Sequence, residues 1–173
     1  MNTRWVIVGL SLMIAGGMRT VAIQIPGTKV DYFAAQDSVT TDNRGMVRIF
    51  EVNDTTGETF VRFACEGRVM QAYFHGKNPL LTPRAREIEL YPLVVYQVDS
   101  QQLKTLKASG TLDEGGTPAL DSLAFENDEL VVEAFRNAGE RVILRIPRLG
   151  MSELTFTFAV KGFREGLSRI KPC

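Results

Sequence analysis

Residues 46–75 read MVRIFEV-NDTTG-ETFVRFAC-EG-RVMQAYFH, and this stretch decides the fold. Val47 and Ile49 fall on one side of the first segment; Val61, Phe63 and Cys65 fall on one side of the second. Successive side chains of a strand point to opposite faces, so such alternation predicts half-buried β-strands rather than a helix. Asn53–Gly57 is rich in turn formers, and Glu66-Gly67 leaves two residues for the next connection. The expectation is a three-stranded antiparallel meander.

Working outward, Gly76–Pro83 predicts a loop, and Arg86–Asp99 (REIELYPLVVYQVD) again alternates, with Ile88, Leu90, Val94, Tyr96 and Val98 on one face. Pro92 marks a bulge, an edge or a break there. Gln101–Ala108 predicts a further short strand, and Ser109–Pro118, with three glycines, a surface loop. The period changes after Phe125. Asn127 stands as an N-cap before Leu130, Val131, Ala134, Phe135 and Ala138 at helical spacing, with Gly139 as the stop. Arg141–Pro147 and Leu154–Lys161 then form a hairpin around Leu149–Ser152, and Phe163, Leu167 and Ile170 mark one side of a terminal helix. The fold expectation is mainly β: an antiparallel β-sandwich or curled sheet with two short helices, as a single domain over 23–173.

Before this domain, Met1–Arg4 supply a basic start and Trp5–Ala15 an uncharged apolar run. That is the profile of a signal peptide, read as residues 1–22. The run is shorter than the roughly 20 residues a membrane-spanning helix requires. Small residues allow cleavage after Ala22 or after Gly17; an uncleaved anchor or a buried strand is the alternative. Localisation follows as periplasmic or extracellular, with no stable membrane span after cleavage.

Export places Cys65 and Cys173, the only two cysteines, where a disulfide persists. The alternative is a buried Cys65 with a free tail. Two cysteines and a single histidine without C-x-x-C spacing make a poor metal set, and no cofactor is implied. The whole chain balances 20 basic against 20 acidic residues. Without the leader, 18 basic residues face 20 acidic ones, so no excess points to nucleic acid.

Candidate catalytic groups each have a plainer explanation. His75, at a strand end, has no G-x-S-x-G elbow to accompany it. Glu87 and Glu89 share a strand face in this reading, which alternating charge on a solvated sheet explains. Asp113–Gly116 and Glu126–Glu129 lack calcium-loop spacing and read as loop solvation and helix capping. The chain therefore reads as a non-enzyme with no catalytic residues. Its candidate partner-binding residues are His75, Lys77 and Asn78 at the start of the 76–86 loop, and Arg141, Arg145 and Arg148 as one basic strand face. The 109–122 loop and an exposed sheet edge are further contact points.

The succession AFRNAGERVILRIP, a turn and TFTFAVKGFREGLSRIKPC, together with FVRFACEGRVMQAYF and VVYQVD, resembles the type VI secretion-associated VasI-like extracytoplasmic family. Cys65 and Cys173 match the two positions that would pair in it; Gln97 stands where its pattern prefers Arg, and Tyr32 where it has a tryptophan. The resemblance implies a non-enzymatic envelope accessory whose partner is another protein. A shorter stretch, Phe63–Gly67 with Ala72-Tyr73-Phe74, is similar to the strand pair of periplasmic C-type lysozyme inhibitors and implies the alternative. A secreted hydrolase is the third class, for which no nucleophile and base assemble. Oligomeric state is left open.

Overall fold

A computed structural model describes residues 22–34, 45–66, 68–113 and 115–170. Residues 1–21, which fall within the expected signal peptide, and Cys173 lie outside them. The described residues form ten strands and three helices. β1 (Ile23–Gln24) and β2 (Val30–Phe33) precede the meander of β3 (Met46–Phe50), β4 (Phe60–Glu66) and β5 (Val69–His75). α1 (Pro83–Glu87), β6 (Leu93–Val98), β7 (Lys104–Leu112) and β8 (Pro118–Phe125) follow. The chain ends in α2 (Asp128–Asn137), β9 (Arg141–Arg148), β10 (Met151–Ala159) and α3 (Phe163–Arg169). Among these helices none is long and apolar enough to cross a membrane.

All strands join one antiparallel sheet in the order β1-β2-β3-β4-β5-β8-β7-β6-β9-β10. β7 turns the corner: Lys104–Lys107 pair with β6, while Ala108–Leu112 pair with β8. The sheet thereby curls until β10 meets the end of β3. There Glu51 and Phe158 form a single bridge, and Val52 N–H donates to the Thr157 carbonyl at 2.9 Å. One bridge does not make a ladder, so the sheet stays open; of the two architectures expected, the curled sheet is the one formed.

The core lies inside this curl, where α2 and α3 pack. Val47, Ile49, Val61, Phe63, Ala72 and Phe74 point inward as the alternation requires. Phe63 is ringed by Phe163 at 4.6 Å and Phe135 at 5.2 Å between centroids, which joins both helices to β4. Truncating such a ring to alanine costs about 3–5 kcal/mol. Asn127 caps α2 by accepting from Leu130 N–H at 3.0 Å, as its position predicts. The buried face of α2 is Val131, Val132, Ala134 and Phe135, whereas Leu130 is exposed.

Four local expectations are corrected. The 86–91 segment is not strand. Thr82 accepts from Ala85 N–H at 3.1 Å with Pro83 in the first helical turn, and this cap starts α1. Ile88 and Leu90, whose alternation mimicked a strand, are exposed, and Glu89 adopts φ 52° where the helix unwinds. Glu87 and Glu89 consequently share no strand face. The third helix, α1, takes the count beyond the two expected.

Secondly, 109–118 is not one loop: 109–112 belong to β7 and Pro118 opens β8, with the turn between them. Gly110 suggested a loop, but it is a strand glycine because Tyr91 packs on it. A Cβ there would stand 2.5 Å from the Tyr91 hydroxyl oxygen. Thirdly, Pro118–Phe125 is a strand that carries Leu123 and Phe125 inward. Lastly, residues 23–45 read from the sequence as mixed and polar, yet they contain β2, whose Val30 is fully buried.

Candidate functional site

Strand alternation that buries Val47, Ile49, Val61, Phe63 and Phe74 must turn the intervening residues outward. On an ordinary solvated face these are short polar or charged side chains. Here they are Arg48, Phe50, Phe60, Arg62, Tyr73 and His75, and every one is half-buried. Cross-strand register orders them into two rows. Asp31 faces Arg48, Arg48 faces Arg62 and Arg62 faces Tyr73; beside them Phe50 faces Phe60 and Phe60 faces His75.

The two arginines are held differently. Arg48 donates Nε–H to Asp31 Oδ1 at 3.0 Å and Nη2–H to Oδ2 at 2.5 Å, a bidentate pair with a buried carboxylate. Its guanidinium also lies 4.9 Å from the Phe33 ring centroid and 5.1 Å from that of Phe50. Arg62 lies over the Tyr73 ring at 4.5 Å. Among the described residues, no carboxylate stands within ion-pair distance of it. Phe60 and His75 stack at 5.1 Å with 30° between ring planes. Burial first, then the negative charge of Glu66, raise the Tyr73 phenol above its ordinary value, so it is neutral at pH 7.

Beyond β5, the β7–β8 hairpin rises along this face. Between them lies a cleft of about 580 Å³, with Phe60, Arg62, Tyr73 and His75 on one side and Leu112 and Asp121 on the other. Leu112 is 69% exposed at the rim. Asp113 is spent within its own turn, where Oδ1 accepts from Gly115 N–H at 2.9 Å and Thr117 N–H at 2.8 Å.

Of the residues singled out from the sequence, His75 belongs to this cleft. Lys77 sits just past it, 3.0 Å from Glu58 in an exposed pair, and Asn78 is exposed. The three arginines of β9 do not form one face. Arg141 and Arg145 share a parity, but Arg148 has the opposite one. Arg141 and Arg148 also stand at the two ends of an eight-residue strand, roughly 23 Å apart. Arg148 is used in the fold: Nη1–H donates to the Pro79 carbonyl at 3.2 Å and Nε–H to that of Ser152 at 3.0 Å, tying the 76–82 loop to the β9–β10 hairpin.

The acidic clusters are likewise structural, because Asp128 Oδ1 accepts from Ala72 N–H at 2.8 Å and clamps the start of α2 to β5. Among the described residues no group of three metal-ligating side chains is found. Arg48, Phe60, Arg62 and Tyr73 were not singled out from the sequence. The signal was present in MVRIF and FVRFA, where arginine and phenylalanine occupy the positions that a solvated face fills with small polar residues.

Comparison with protein-family models, curated proteins and solved structures finds no match to this chain.

Proposed function

We propose that this chain is an exported, non-enzymatic binding protein of the bacterial cell envelope, acting through protein–protein contacts, and that the outward face of β3, β4 and β5 is the surface it uses. The observation that carries the reading is the double row of Arg48, Phe50, Phe60, Arg62, Tyr73 and His75 in place of a solvated face. Arginine and aromatic residues are the types enriched where binding energy concentrates in protein interfaces. They sit on paired strands, so little side-chain freedom is left to lose on association. The leader-like residues 1–22 support export.

The pairing of Cys65 with Cys173 belongs to the same proposal. Cys65 is buried at the end of β4, opposite Met70 in register. Met70 and the buried Ile170, just past α3, line one groove, so the described chain comes within a few residues of Cys173 beside β4. The bond would lock α3 onto the first half of the sheet.

A type VI secretion accessory is the finer form of this reading. A periplasmic lysozyme inhibitor is the alternative, favoured by one observation: the resembling stretch is β4–β5, which carries the candidate face. The test immobilises the mature chain and exposes it to envelope extract, with Tyr73→Ser, checked for folding by thermal melting, as the comparison. Recovery of secretion-system components by the native chain and their loss with Tyr73→Ser is the expected result. Identical recovery by both, or recovery of nothing, would overturn the proposal; nanomolar inhibition of lysozyme would select the alternative.

A further inference from the structure

Like charges directly opposite each other on adjacent strands destabilise a sheet. The register nevertheless sets Arg48 against Arg62. Asp31 neutralises the first, whereas the second, among the described residues, pairs with no carboxylate and lies over the Tyr73 ring. A sequence that breaks a local rule without a compensating contact does so most often where function requires it. Glutamine or threonine at position 62 would solvate an outward strand position without this repulsion.

The cleft chemistry narrows what Arg62 awaits. A guanidinium stacked on an aromatic ring keeps its edge N–H groups free, in the fork geometry that matches a carboxylate. Phe60, Tyr73 and His75 supply an apolar floor next to it. Across the cleft, the Asp121 carboxylate and the Thr111 hydroxyl offer acceptors. A phosphate would meet repulsion from Asp121 and brings no backbone N–H group to offset it. A peptide brings what the cleft lacks on both sides: a carboxylate for Arg62 and backbone N–H groups for Asp121 and Thr111.

We propose that this cleft receives an acidic side chain on an extended segment of the partner protein, with Arg62 taking the carboxylate and Phe60, Tyr73 and His75 taking an apolar neighbour. This rests on the binding-protein reading above and names the chemistry of its partner. Arg62 is the group that discriminates; Arg48, already paired, positions the face.

The test is a nuclear magnetic resonance titration of the mature chain with acetyl-Leu-Asp-Leu-amide, acetyl-Leu-Asn-Leu-amide and inorganic phosphate. It follows the Arg62 Nε–H and the Tyr73 and His75 ring signals. The aspartyl peptide is expected to shift these saturably and to bind about tenfold more tightly than the asparaginyl one, the scale of a charge-assisted contact. Arg62→Gln should erase that difference, and Arg62→Lys should restore part of it. Equal binding of the two peptides, no saturable shift at millimolar concentration, or a phosphate response as strong as the aspartyl one would each overturn the inference. If the inference falls while partner capture still depends on Tyr73, the binding-protein reading stands and only the acidic ligand is lost.

Discussion

Arg48 and Arg62 stand opposite each other across the β3–β4 ladder, and the carboxylate of Asp31 holds only the first. Asp31 is 5% exposed and contributes through two charge-assisted hydrogen bonds. Asp31→Asn should therefore lower stability by about 1–3 kcal/mol, since it leaves Arg48 half-buried beside a second cation. Arg62→Gln should leave stability unchanged or raise it slightly. Urea denaturation of the two variants checks the contrast; equal losses would mean that Arg62 is a structural residue.

Glu51 fastens the curl of the sheet. It is buried, and its carboxylate accepts from Asn53 N–H at 2.6 Å, Asp54 N–H at 2.8 Å and Thr157 N–H at 3.3 Å. Glu51→Ala would leave these donors without their acceptor and should cost about 1–3 kcal/mol. Hydrogen exchange at the Thr157 and Val52 amides should quicken more than at the β4–β5 ladder, because β10 would part from the end of β3.

Acid sensitivity follows from Asp99 and Asp54. Asp99 sits at φ 50° and accepts from Arg141, Gly139 and Glu140 N–H, and these bonds hold its carboxyl below the ordinary value. Hydrogen bonds from Thr56 do the same, more strongly, for Asp54. A carboxylate depressed on folding contributes stability that is complete above its unfolded pKa and is lost as the pH falls toward its folded one. Stability should hold from neutrality to the ordinary aspartate range and decline below it. Asp99→Ala should flatten that decline, as read by denaturation midpoints between about pH 5 and pH 2.

The proposed Cys65–Cys173 bond closes most of the mature chain into a loop. In the chain-entropy picture a loop of about 100 residues stabilises by up to about 4.7 kcal/mol. Intact mass under non-reducing conditions should show no free thiol, and reductant should lower the urea midpoint. Two alkylatable thiols in the native protein would refute the bond.

Much of this fold was legible where one physical signal acted alone. The β3–β5 meander, α2 with its Asn127 cap, and the β9–β10 hairpin follow from period and turn chemistry. Reading failed where two signals competed. Ile88 and Leu90 alternate as in a strand, yet the Thr82 cap and Pro83 start a helix that leaves both in solvent. Gly110 looked like a loop residue because the partner that demands it, Tyr91, is distant in sequence. Charge alone singles out the three β9 arginines, of which Arg148 points opposite to Arg141 and Arg145. The residues that do converge come from three strands, and only their register brings them together.

The most direct test of the central claim is site-specific photo-crosslinking in the cell. A benzophenone side chain is placed at Leu112, on the rim of the cleft, and in a second protein at the exposed Leu103, beyond the opposite end of β7. The account predicts a discrete protein adduct from position 112 that weakens with Tyr73→Ser, and none from position 103. Adducts of equal yield from both positions, or an adduct from 103 alone, would contradict it.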